Sequence, residues 1–387
     1  MPLPVLKRKA AAAIILAGFA TFSGTSAVAA QAQYFATQKV SIAVEPVAEG
    51  LESPWGVEVL PDGAFIVTEK PGRLRIIRDG KLSKPITGLP KVAANGQGGL
   101  LDVALSPKFV DDRTIFLTAS LAYDGGAGTA VIRGKLSADE RSLSDVRTIF
   151  RMKKIGTTER HFGSRIAFGT DGTLYFTIGD RGRMKRAQDF FDHAASILRI
   201  NTDGSVPADN PFADGKRALP EIFSKGHRNA QGITFDPLTS AIVTAEHGDR
   251  GGDEINMPKP SLNYGWPVIS YGVHYSGKKI GKGVSAPGFE QPAHYWDPSI
   301  APGALTVYRG AMFPEWKDDI LVTSLKFGLI SRIARDENNK ITGEERFIDG
   351  AFGRLRDIIT APDGSLLVLT DDDDGKLLRI TRGTNPS

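Results

Sequence analysis

The chain contains no cysteine. That excludes disulfide frameworks, thiolate-held zinc or iron–sulfur centres and thiol nucleophiles, so stability has to come from core burial. Helical periodicity is nearly absent after the first thirty residues, and 186–198 is the one modest candidate. Long apolar runs are missing too, apart from Ala10 to Phe22. That run follows Lys7, Arg8 and Lys9 and leads into Ser26-Ala27-Val28-Ala29-Ala30, the order of regions in a secretory signal peptide. It is too short and too rich in small residues for a membrane-spanning helix. Residues 1–30 therefore read as a leader cleaved near Ala29/Ala30, which predicts an exported, periplasmic protein without a transmembrane segment. Net charge is also scarce: 48 Lys+Arg face 44 Asp+Glu, and three of the basic residues belong to the leader. Such a balance gives no sign of a nucleic-acid partner.

Glycine and proline, 43 and 23 of them, punctuate a recurring unit. A Pro/Asp/Gly turn precedes a short, β-branched, alternating run six times: "AFIVTE" from Ala64, "RTIFLTAS" from Arg113, "TLYFTIGD" from Thr173, "SAIVTAEHG" from Ser240, "DILVTSL" from Asp319 and "SLLVLTDD" from Ser365. Each run is long enough for one strand, and several are trailed by a second, such as 72–80 and 375–383. A two-sheet sandwich would not repeat this turn signature. Six units of this size predict an all-β, six-bladed β-propeller over residues 46–387, with 31–45 as a polar lead-in. Oligomeric state stays open between monomer and homodimer.

Several loops carry more chemistry than a connector needs. Gln97 sits in the Gly-rich turn of "NGQGGLLDV" and His161 precedes a strand in "ERHFGSR". Read alone, each fits an ordinary turn. His227, Arg228, Asn229 and Gln231 crowd together in "GHRNAQG", a dense set of donors ahead of an apolar strand. Glu246, Asp249, Asp253 and Glu254 lie among the glycines of "EHGDRGGDEIN". Carboxylates and carbonyls in such turns suit a hard cation such as Ca²⁺, though the spacing is not that of an EF-hand, and a solvated acidic loop is the alternative. Arg354 and Arg356, two apart in an extended segment, point the same way and invite an anion unless Asp349 or Asp357 pairs with them. The run Asp371–Asp374 reads as a solvated turn.

Taken in order, "GQGGLLDV", "HFGSR", "IGDRGR", "GHRNAQG", "EHGDRGGDEIN", "NYGWP", "SLK" and "RLRD" resemble the soluble pyrroloquinoline-quinone (PQQ) sugar dehydrogenases of the glucose/sorbosone dehydrogenase family, in particular its aldose branch. The resemblance covers about residues 45–383. It implies a six-bladed propeller that oxidises the C1 hydroxyl of an aldose sugar to a lactone. Hydride would pass to calcium-bound PQQ, and electrons onward to an unidentified non-oxygen acceptor. By position it makes His161 the catalytic base and Arg228 its catalytic partner. Gln97, Asn229 and Tyr275 become cofactor contacts, with Lys326, Arg354 and Arg356 holding the cofactor carboxylates. Gly248 and Asp249 become carbonyl ligands of the cofactor's Ca²⁺, and Glu254 and Tyr264 a second, structural calcium site. Two positions depart from the glucose-oxidising members. Arg160 replaces an acid before the histidine, and Arg181 replaces the glutamine of "GDQGR". An acid at 160 would orient the histidine and raise its basicity, so this sequence leaves the base without that support. A calcium-dependent propeller lactonase and a non-catalytic binding propeller are the rival readings.

Overall fold

Short alternating segments separated by turns can bury both faces only by stacking sheet upon sheet, and a closed ring does this with little exposed edge. The computed structural model describes residues 32–383; the leader expected over 1–30 lies outside the described residues. The first strands are β1 (Gln33–Ala36) and β2 (Ser41–Leu51). Blade one follows with β3 (Pro54–Val59), β4 (Phe65–Glu69), β5 (Arg73–Arg78) and β6 (Lys81–Leu82). Blade two comprises β7 (Leu100–Leu105), β8 (Thr114–Tyr123), β9 (Gly126–Leu136) and β10 (Leu143–Arg151). Blade three has β11 (Ile166–Phe168), β12 (Leu174–Ile178), β13 (Ser196–Ile200) and β14 (Ile222–Lys225). In blade four are β15 (Ala230–Asp236), β16 (Ala241–Glu246), β17 (Asp253–Asn256) and β18 (His294–Trp296). Blade five holds β19 (Pro302–Val307), β20 (Ile320–Ser324), β21 (Ile330–Arg335) and β22 (Ile341–Phe347). The last blade contributes β23 (Leu355–Thr360), β24 (Leu366–Thr370) and β25 (Gly375–Arg382).

These strands form six antiparallel sheets, five in chain order and one ordered β1-β2-β25-β24-β23. The six-bladed expectation therefore holds, and every recurring run of the sequence is the second strand of its blade. Two expectations need correction. The lead-in over 31–45 contains β1 and the first five residues of β2, and β2 zips onto β25 from Ile42↔Arg382 to Leu51↔Gly375. Val40, Ile42 and Val44 accordingly join the core. The helical candidate at 186–198 is a 3₁₀ turn, Met184–Gln188, followed by the start of β13. No helix among the described residues is long and apolar enough to cross a membrane.

Buried apolar clusters fill the junctions between neighbouring blades, with Leu117 and Leu74 at the first and Trp316 and Leu366 at the fifth. A repeated threonine ties the junctions at channel level. Thr68, Thr118 and Thr177 occupy the same place in β4, β8 and β12, and each hydroxyl accepts from an inner-strand amide of its own blade: Gly56 (2.9 Å), Asp102 (2.9 Å) and Arg165 (3.1 Å). The same hydroxyls donate to a carbonyl of the next blade: Leu101, Ser164 (2.6 Å) and Ala230 (2.8 Å). Bulges in most inner strands present those amides to a side chain instead of to the ladder.

At the centre, one side chain reaches the whole ring. Arg165 of blade three lies 4.1 Å above the Trp55 ring of blade one and pairs with Asp102 of blade two (3.0 Å). It donates to the carbonyls of Gln231 in blade four (3.0 Å) and Gly303 in blade five (3.3 Å), and pairs with Asp357 of blade six (2.8 Å). A guanidinium with five N–H donors in a fixed plane suits this task better than a lysine would.

Candidate active site

Four of the six second strands end in an acid: Glu69, Asp180, Glu246 and Asp371 stand at or just past the ends of β4, β12, β16 and β24. Each carboxylate anchors residues of a neighbouring loop. Those of Asp180, Glu246 and Asp371 reach, respectively, His161, His227 and the pair Arg354–Arg356.

Asp180 supplies what the arginine at 160 cannot. Its Oδ1 lies 2.6 Å from His161 Nδ1 and accepts from Gly182 N–H (2.7 Å), while Oδ2 accepts from Trp266 Nε1 (2.9 Å). The expectation of a histidine without an orienting acid is therefore corrected: the acid comes from "IGDRGR", not from position 160. The carboxylate fixes the Nδ1–H tautomer and leaves the lone pair on Nε2 to accept a proton. Burial pushes His161 below the ordinary histidine range; Asp180 pulls it back, and Arg228 and Arg160 push it down again. The ring is thus neutral near pH 7, as a base requires. Burial would raise Asp180, but His161 and Arg228 hold its carboxyl below the usual range.

The backbone of His161 is in the left-handed region, φ +56°, which is uncommon for a residue with a side chain. Gln97 fixes it there, its Oε1 accepting the His161 N–H at 2.7 Å. Gly99 makes the Gln97 turn possible: at φ +146°, a Cβ would stand 2.2 Å from the Lys70 carbonyl. Arg181, the second departure, is fully buried against the Phe162 ring (3.4 Å) and donates to the carbonyls of Thr158 (2.6 Å) and Arg160. It braces the segment that delivers His161.

Three cavities meet at His247, a residue that sequence reasoning passed over. The inner one, about 190 Å³, is lined by Gln97, Asn229, Arg354 and Arg356 together with Trp55 and Lys70. His161 adjoins it through Phe162, Gly163 and Gln97. The outer mouth, about 820 Å³, is lined by Gly248, Asp249, Tyr275, Lys326 and Arg354. A third chamber of about 20 Å³ touches Arg228, Gly248, Glu254 and Tyr264. Every expected site residue thus borders one of these three neighbouring cavities or contacts a residue that does. Tyr275 is 74% exposed on the rim and Lys326 is exposed beside Phe327.

Arg354 and Arg356 do share a face, but neither Asp349 nor Asp357 partners them. Asp371 does, receiving Arg354 Nη2 at 2.8 Å and Arg356 Nη2 at 3.0 Å. The solvated-turn reading of Asp371–Asp374 therefore fails at its first residue and holds for the exposed other three. Burial works to raise Asp371, yet the two guanidiniums hold it at about 2. With Lys70, Arg354 and Arg356 against Asp371 alone, the inner wall keeps a surplus of positive charge for an anion. Arg356 is further fixed by Gln231 Oε1 (2.8 Å).

Two observations bear on whether these residues fit PQQ and Ca²⁺. Arg228 is buried, pairs with Asp249 (3.3 Å), and leaves its Nε without a partner, an orphaned donor at the site. In the small chamber Glu254 stands beside Glu246, and burial plus that neighbour push its carboxyl up to about 8. Asn256 donates to both carboxylates (2.6 and 3.0 Å) while its buried Oδ1 accepts nothing. Two adjacent acids and room for about one water-sized sphere suit a hard cation. No group of three or more His, Asp or Glu arranged around a metal occurs among the described residues, so carbonyls such as those of Gly248 and Asp249 have to complete any calcium shell.

Fold and site together define a six-bladed propeller that sets an acid-oriented, neutral histidine beside a basic, anion-ready cavity. The chain matches the glucose/sorbosone dehydrogenase family over residues 51–379, and it belongs to that family. It is 40% identical over 346 residues to the aldose sugar dehydrogenase YliI of Escherichia coli K12, covering 88% of this chain and 93% of that protein. The crystal structure of the soluble aldose sugar dehydrogenase from Escherichia coli, in the apo form, superposes with a TM-score of 0.86 at 39% identity, over 88% of this chain and all of the other. The PQQ-bound aldose sugar dehydrogenase from Streptomyces coelicolor superposes with a TM-score of 0.73 at 28% identity, over 88% of this chain and 98% of the other.

Proposed function

We propose that the protein is a quinoprotein that oxidises aldose sugars at C1 to lactones. The observation that carries this is the His161–Asp180 pair, set beside a cavity walled by Arg354 and Arg356. His161 Nε2 takes the proton of the C1 hydroxyl, and Asp180 stabilises the imidazolium that forms. Bound PQQ supplies the acceptor for the C1 hydride, with Ca²⁺ polarising it. Arg354, Arg356 and Lys326 hold carboxylates, and Gln97 and Asn229 border the same cavity. The Arg228 guanidinium stands ready to stabilise negative charge developing at the reacting end. Gly248 and Asp249 lend carbonyls to the cofactor's calcium, while Glu254 and Tyr264 hold a structural calcium.

A propeller hydrolase that uses a channel metal is disfavoured by the commitment of Asp102 and Asp357 to Arg165. The test is His161→Gln in protein reconstituted with PQQ and Ca²⁺. Turnover should fall at least about a hundredfold while PQQ binding, followed by its absorbance, is kept. Retained turnover refutes the assignment of the base, and full activity in dialysed, EDTA-treated apoprotein refutes the quinoprotein reading.

A further inference from the structure

Two electrons leave each sugar under the reading above, so the protein has to meet an acceptor. Residues 257–293, the excursion between β17 and β18, carry a feature that this reading does not use. Their charged residues are Lys259, Lys278, Lys279 and Lys282 against Glu290 alone, in a chain otherwise close to balance. Four of the seven exposed large apolar side chains among the described residues gather here: Val273, Tyr275 and Val284 within the excursion and Tyr295 just after it.

The excursion is held at the mouth of the site. Val273 and Arg250 exchange backbone hydrogen bonds (2.9 and 3.1 Å), and both residues line the mouth with Tyr275. Lys279 bridges back to Val273, and His274 N–H donates to the Lys278 carbonyl at 2.8 Å, so both lysines are fixed beside the opening. Lys282 is tied to Val268 (2.8 Å) on the same excursion. The nearest acids are occupied elsewhere or few. Asp249 pairs with Arg228 and His274, Asp297 is the one exposed carboxylate on the mouth wall, and the ion pairs of the region leave the three lysines out.

We infer that this excursion is the docking surface for an acidic, one-electron redox protein that collects electrons at the cofactor mouth. The inference rests on the quinoprotein reading. Exposed apolar side chains interspersed with charge of one sign suit a small, short-lived electron-transfer encounter, in which complementary charge speeds association more than it tightens the complex. Oxidation of one aldose to its lactone releases two electrons and two protons; two acceptor molecules each take one electron, and the protons pass to solvent.

The test uses full-length protein reconstituted with PQQ and Ca²⁺, with a neutral short-chain quinone, ferricyanide, an acidic monohaem cytochrome and a basic one as acceptors. Rates are read at ionic strengths of about 10 mM and about 1 M, where the screening length is about 30 Å and about 3 Å. At low salt the acidic cytochrome should be reduced at least about tenfold faster than the basic one, and salt should erase the difference. Lys278→Glu, Lys279→Glu and Lys282→Glu together should reverse that preference, and the Gln triple should abolish it. Both triples should leave reduction of the neutral quinone unchanged. Equal rates with the two cytochromes, steering of ferricyanide alone, or a uniform loss with every acceptor overturns the docking surface. Absence of neutral-quinone reduction in the unmodified holoprotein overturns the quinoprotein reading instead.

Discussion

Asp180→Asn isolates the part of the site that the arginine at 160 made doubtful. The carboxylate accepts three hydrogen bonds, from His161 and Gly182 on one oxygen and from Trp266 on the other. An asparagine has one acceptor oxygen, so its amide group must face one of the two sets. Turned toward His161 and Gly182 it meets two donors, or forces the imidazole into the tautomer that cannot act as base. Turned toward Trp266 it meets one. The second orientation wins, leaving the Trp266 N–H and the amide N–H that faces it unpaired, at about 1–3 kcal/mol of stability for each buried donor. His161 then keeps its tautomer but loses the charge that raised its basicity, while Arg228 and Arg160 still push it down. Two effects on sugar oxidation follow. The rate constant kcat/KM should fall by about a hundredfold, within the range of general-base contributions. The acid limb of its pH profile, which reports protonation of the base, should move to lower pH, because removing a neighbouring negative charge lowers the histidine further. The assay is steady-state oxidation of an aldose with an artificial acceptor from pH 4 to 9 (a range of about five units around the histidine reference value), with PQQ titrated separately. An unchanged kcat/KM with an unmoved acid limb would refute the role assigned to Asp180.

Arg356→Gln removes one guanidinium from the basic wall. Losing one charge-assisted pair, about 1.5–3 kcal/mol, should weaken PQQ roughly ten- to a hundredfold in a calorimetric titration, and unaltered affinity would show that the wall holds something else. Asp371 should make the protein acid-sensitive. Its folded pKa of about 2 lies below the ordinary value of 3.8, so its contribution is whole above pH 3.8 and lost as pH falls toward 2. Roughly 2 kcal/mol is at stake, and denaturant titrations of Asp371→Asn should show a flatter stability profile in that window than the unmodified chain. Chelation with EDTA should lower Tm, and adding Ca²⁺ back should restore it, because a filled cation chamber near Glu246 and Glu254 stabilises only the folded state.

Much of this architecture was legible before any coordinates. The six turn-plus-strand units mark the second strands because those strands lie fully within the stack, where β-branched alternation is strongest. The threonines and acids that end the runs were visible as letters, yet their roles were not. "VTE" and "FTIGD" place a hydroxyl toward the next blade, and they, "VTAE" and "LTD" place a carboxylate toward a loop, only once the blades are ringed. Asp371 looked like part of a solvated acidic turn because its three neighbours are one; only its place at the end of β24 separates it from them. Asp180 was overlooked because it approaches His161 across nineteen residues of chain. β2 escaped for a related reason: its partner, β25, lies at the opposite end of the chain, and no local pattern announces such a pairing.

That pairing has a consequence for how the protein comes into being. Arg354, Arg356 and Asp371 belong to the sheet that β2 and β25 complete together. A growing chain with five blades already formed still has its ends apart, its basic wall unfinished and no clamp for the cofactor. Contacts of such long range form late and slowly. On the proposed function, cofactor capture should therefore wait until the last strand has met the first, which makes PQQ uptake a built-in report that the whole ring has closed.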